Sequence, residues 1–81
     1  MILHLHVFPS QKVFTIKVED PSSMTLKTIF QAYQSELDLD LPCCFFSQPE
    51  QMLLDPTLPL DQNWIACEDH LIVFSLLNRP F

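Results

Sequence analysis

The chain of 81 residues contains no glycine, and it sets 4 Lys and Arg against 10 Asp and Glu. The first absence removes whole classes of chemistry, because P-loops and dinucleotide-binding turns need glycines for backbone N–H groups to approach phosphate oxygens. The second removes another. A net charge of −6 is the wrong sign for a protein that gains affinity by neutralising nucleic-acid phosphates, and the four cations Lys12, Lys17, Lys27 and Arg79 form no patch. No nucleic-acid partner is expected. No apolar run approaches the roughly 18 residues that span a bilayer, so no membrane partner is expected either. The opening Met1-Ile2-Leu3-His4-Leu5-His6 has no basic leader and alternates with histidine, unlike a signal peptide. The three cysteines Cys43, Cys44 and Cys67 are odd in number and two are adjacent. That is unlike a disulfide framework and fits a reducing cytoplasm.

What the chain does contain is apolar side chains, 48% of residues against 17% charged. This balance folds rather than staying disordered. One domain spanning residues 1–81 is expected, with a radius of gyration of roughly 12 Å. A core of that size leaves little volume for a substrate cavity, which favours a partner surface over an active site.

Residues 2–8 alternate Leu3, Leu5 and Val7 with His4, His6 and Phe8, the period of a half-buried strand. Pro9-Ser10-Gln11-Lys12 interrupts, and residues 13–19 resume with Phe14, Ile16 and Val18 facing inward, so the two runs form a hairpin. After Asp20-Pro21-Ser22-Ser23, the residues Leu26, Ile29, Phe30, Tyr33 and Leu37 make one helical stripe. Ser23 or Thr25 supplies its capping oxygen. In the absence of glycine, Asp38 or Asp40 is the best candidate for the left-handed residue that ends it. Cys43-Cys44-Phe45-Phe46 is strand length, Met52-Leu53-Leu54-Asp55-Pro56 suits a brief strand, residues 57–66 an irregular packed loop, and residues 71–77 a final strand apolar on both faces over most of its length. One helix stripe over a mixed sheet is the economical packing of these elements.

The order and lengths resemble the ubiquitin-like β-grasp, an α+β fold with a mixed four- to five-stranded sheet and one helix on one face. Residues 60–73 carry the closest match: Leu60, then Ile65, then a polar turn at Glu68-Asp69-His70 leading into Leu71. Within that superfamily, residues 26–33 and 68–74 are similar to the SUMO helix and final strand. His6-Val7-Phe8, Thr28-Ile29-Phe30-Gln31, Leu53-Leu54-Asp55-Pro56 and Ile72-Val73-Phe74-Ser75 together resemble the ubiquitin-like domain of the IKK-related kinases, the IKK-epsilon and TANK-binding-kinase branch, and this is the favoured match. It implies an excised, non-catalytic module that lies between a kinase domain and a helical scaffold domain, contacts both, and helps control activation and the presentation of substrates or adaptors in innate immune signalling. The SUMO-like alternative implies a groove between the helix of Phe30 and the second strand that accepts a partner strand. The ending Leu77-Asn78-Arg79-Pro80-Phe81 has no Gly-Gly pair; conjugation as a free modifier is not expected.

The resemblance also places a partner surface. If Leu71 and Val73 face the core, Ile72, Phe74 and Leu76 face outward. Phe45, or Cys44 if the strand is laid one residue along, then matches the patch isoleucine of ubiquitin on the neighbouring strand, and Pro9 lies near the patch leucine. The alternative is that Phe45, Ile72 and Phe74 are ordinary sheet residues partly covered by residues 57–66 or the C-terminal tail. Phe45, Ile72 and Phe74 are expected to form an exposed apolar patch, so that Phe74→Asp leaves the fold intact and removes binding.

Other chemistry is weaker. His4 and His6 have a spacing that chelates zinc, with Cys43, Cys44, Cys67 and His70 as further ligands, but there is no Cys-x-x-Cys pair and adjacent cysteines point to opposite strand faces. No metal, cofactor or catalytic residue is expected: the cysteines sit in apolar strings without thiolate-stabilising charge. Glu36, Asp38 and Asp40 read as solvated surface near the negative end of the helix dipole, where a basic partner would compensate them.

Overall fold

The computed structural model describes residues 1–39 and 42–77. Its elements run β1 (Ile2–Val7), β2 (Val13–Lys17), α1 (Leu26–Leu37), β3 (Cys43–Ser47), β4 (Met52–Leu53) and β5 (Asp69–Ser75), with a 3₁₀ turn at Leu60–Gln62. The five strands form one sheet in the order β2-β1-β5-β3-β4. β1 and β5 pair in parallel at the centre, and every other pairing is antiparallel. With the helix packed on one side, this is an α+β ubiquitin-like β-grasp.

The helix follows from its stripe. Leu26, Ile29, Phe30 and Leu37 are buried and Tyr33 packs against them. They meet Leu3, Leu5 and Val7 of β1, Ile16 of β2, and Leu71 and Val73 of β5, with Val18 completing that side. Of the two capping candidates it is Thr25 that caps, its hydroxyl accepting the Thr28 N–H at 3.1 Å, whereas Ser23 donates to the Asp20 carbonyl. At the other end Asp38 is left-handed, φ 49° and ψ 50°. Asp40, the other stop candidate, lies outside the described residues, as do Arg79 and the tail from Asn78 onward.

Without glycine, four further residues among those described also take positive φ: Gln11 (65°), Gln51 (55°), Trp64 (60°) and Glu68 (71°). Each turns the chain where glycine would do so without a Cβ clash, at a cost of about 1 kcal/mol per residue. Gln51 closes the β3–β4 turn, donating its N–H to the Ser47 carbonyl at 2.8 Å, and its side chain is exposed. Gln51→Gly relieves that cost but loses the bond that Gln51 Nε2 donates to the Gln48 carbonyl at 2.7 Å, so it should change stability by less than about 1 kcal/mol in urea unfolding.

Residues 54–66 are held by backbone bonds to the start of the helix. Lys27 N–H donates to the Pro56 carbonyl (3.0 Å), Leu60 N–H to Met24 (2.9 Å) and Asp61 N–H to Pro21 (3.3 Å), and Thr25 bridges Pro59. Asn63, 2% exposed, locks the loop from inside: its Oδ1 accepts the Asp55 N–H and its Nδ2 donates to the Asp55 carbonyl at 2.7 Å.

Of the two registers open to β3, the structure has the one that turns Phe45 inward. Phe45 pairs with Val73, Phe46 with Ile72 and Cys44 with Phe74, and residues directly opposite share a face. Phe45 therefore faces the helix, is 3% exposed, and meets Phe30 edge-on with ring centroids 6.2 Å apart. It is a core residue. Phe74 does alternate away from the helix, yet it is 1% exposed; outward direction at this end of the sheet is not exposure. The expected patch of Phe45, Ile72 and Phe74 is thus not a surface.

Candidate partner face of the sheet

The face without the helix carries a different apolar row. The pairings His6 to Val13, His6 to Ile72, Phe46 to Ile72 and Phe46 to Leu53 join five residues from five strands into one line across the sheet. Val13 and Leu53, at the two edges, are 54% and 56% exposed; His6, Ile72 and Phe46 between them are half-buried. Of the five residues expected at a partner surface, Ile72 lies in this row, Pro9 is exposed in the β1–β2 turn, Leu76 is exposed beyond β5, and Phe45 and Phe74 are buried. Phe46, Val13 and Leu53 take their place. Alternation within β2 and β4 marks Val13 and Leu53 as outward, but only the strand pairing puts them in line.

Three histidines share this face. His4 and His70 are register partners whose rings stack with centroids 4.7 Å apart, and His6 Nε2 lies 2.8 Å from His70 Nδ1. His4 Nε2 meets Glu68 Oε2 at 2.9 Å, and its Nδ1 lies 3.3 Å from the Thr15 hydroxyl. Partial burial, then the neighbouring His70 and His4, holds the pKa of His6 below the ordinary value of 6.5. The unfolded chain consequently binds a proton at His6 more readily than the folded one, and stability falls as pH drops through 6.5 toward the lowered value. Between about pH 7.5 and about pH 5.5 the melting temperature should decrease, and His6→Gln should flatten that decrease in thermal melts.

The histidines contact one another, Thr15 and Glu68, not a thiol. Cys43 and Cys44 are half-buried, and exposed Cys67 accepts the Ile2 N–H at 3.4 Å. Among the described residues, no group of three or more His, Cys, Asp or Glu side chains is placed to hold a metal ion, and no helix is long and apolar enough to cross a membrane. Between the helix and β2, Phe14 and Tyr33 are half-buried with ring centroids 6.0 Å apart, and Phe30 meets Phe45 edge-on. Glu36 and Asp38 are exposed at the helix end, as read from the sequence. No protein-family model and no curated protein matches the chain.

Proposed function

We propose that this domain is a non-catalytic protein-interaction module that docks through the helix-free face of its sheet. The observation that carries the reading is the row Val13, His6, Ile72, Phe46 and Leu53, four apolar residues and one histidine in line, with exposed aliphatic ends. Burying it at about 25 cal/mol per Å² of apolar area supplies several kcal/mol to an interface. The fold, together with the local strings quoted above, supports the ubiquitin-like domain of an IKK-related Ser/Thr kinase, acting in the cytoplasm on the kinase and helical scaffold domains of its own chain to control activation and substrate presentation. The alternative, a SUMO-like or ubiquitin-like interaction domain of an unrelated adaptor protein, would use the side of α1 and β2 where Phe14 and Tyr33 pack together.

The test is binding of the isolated domain to a purified kinase-plus-scaffold fragment of an IKK-related kinase, set against a SUMO-interacting peptide, by calorimetry. Binding to the fragment is expected, with Leu53→Asp weakening it about tenfold, equivalent to about 1.4 kcal/mol. The 56% exposure of Leu53 keeps that variant folded. Preference for the peptide would reverse the assignment.

A further inference from the structure

Trp64 is the only tryptophan of the chain, and nothing in the packing accounts for it. It is 69% exposed, so its indole contributes little to the core. Its backbone is left-handed at φ 60°, a conformation unfavourable for a bulky side chain and easy for glycine. On both counts a smaller residue would serve the fold better. Residues held in such backbone states concentrate at ligand sites, where the surrounding structure enforces them.

The surrounding structure here is firm. Trp64 stands between two buried residues, Asn63, bonded twice to Asp55, and Ile65, 8% exposed. Together with Glu50, Asp61, Gln62, Ile65 and Ala66 it lines an open cleft of about 450 Å³, within the size range of small-ligand sites. Glu50 reaches the cleft from the β3–β4 turn and the other residues from the loop before β5.

The electrostatics select the occupant. Glu50 and Asp61 both line the cleft, and among the described residues neither carboxylate has a hydrogen-bond or ion-pair partner; the ion pair seen there is His4 with Glu68. Among the described residues no Lys or Arg lines it, and the whole chain carries −6. An indole face attracts a cation through its quadrupole, and carboxylates beside it attract the same cation through charge. A planar guanidinium satisfies both, stacking on the ring while its N–H fork meets a carboxylate.

We propose that the Trp64 cleft binds an arginine side chain presented by a basic segment of a protein partner. This site does not use the helix-free sheet face and stands or falls separately from it. As the sole tryptophan, Trp64 gives one indole N–H signal in a ¹H–¹⁵N spectrum, which reports on the cleft alone. The probe is a blocked peptide with a single arginine flanked by alanines, compared with the same peptide carrying citrulline, a neutral shape-match.

The arginine peptide should shift the indole signal saturably, and the citrulline peptide should bind at least about tenfold more weakly. Asp61→Asn and Glu50→Gln should each weaken the arginine peptide about threefold. Trp64→Gly should melt at a higher temperature than the parent and abolish the peptide response. Equal response to citrulline, no shift of the indole signal in the folded domain, or undiminished binding by both carboxylate variants would overturn the proposal. A Trp64→Gly variant that melts lower would do so too, because Trp64 would then be a structural residue.

Discussion

Phe74→Asp should unfold the domain. The ring is 1% exposed, so the substitution removes a large buried side chain, at about 3 to 5 kcal/mol, and puts an unpaired carboxylate in its place. A domain of this length has about 4 to 12 kcal/mol of total stability, from the usual per-residue range. The variant should show no cooperative melt by circular dichroism at room temperature. A cooperative transition near that of the parent would mean that the ring is open to solvent, as the alternation along β5 alone suggests. Phe74→Leu keeps the site apolar and should remain folded, losing about 1 kcal/mol.

The second large effect separates two adjacent residues. Phe45→Ser should cost about 4 kcal/mol, because Phe45 is 3% exposed and leaves a cavity beside Phe30. Phe46→Ser, one position along the same strand but on the other face and half-buried, should cost less than half as much. Urea unfolding of the two variants measures the difference directly. Since a one-residue slip exchanges the faces of a whole strand, the reverse order would move β3 back to the expected register and with it the partner row.

That register is where the sequence was least informative, and the reason is chemical. Cys43-Cys44-Phe45-Phe46 offers an apolar residue to each face whichever way it is laid, and β5 is equally apolar on both sides, so neither strand has the polar alternation that would fix its orientation. The helix was legible because its polar side is polar: Lys27, Thr28, Gln31, Gln34, Ser35 and Glu36 are all exposed. Its left-handed stop at Asp38 was legible because few other residues there tolerate that conformation. Gln51, Trp64 and Glu68 were not, since without glycine nothing marks a positive φ. The loop of residues 57–66 was recognised as packed, but the ties of residues 54–66 to Pro21, Met24, Thr25 and Lys27 run mostly through backbone groups that leave no trace in side-chain pattern. Of the partner face, Ile72 followed from alternation in β5, whereas Val13, Phe46 and Leu53 join it only through pairing between strands distant in sequence.

The central claim is that the helix-free face of the sheet is the docking surface. It is tested most directly by titrating ¹⁵N-labelled domain with the kinase-plus-scaffold fragment of an IKK-related kinase and mapping which amide signals change. Changes are expected at Val13, His6, Ile72, Phe46 and Leu53, and should be lost in a folded Leu53→Asp variant. Changes centred on the exposed side of α1, or no change with the domain intact, would contradict it.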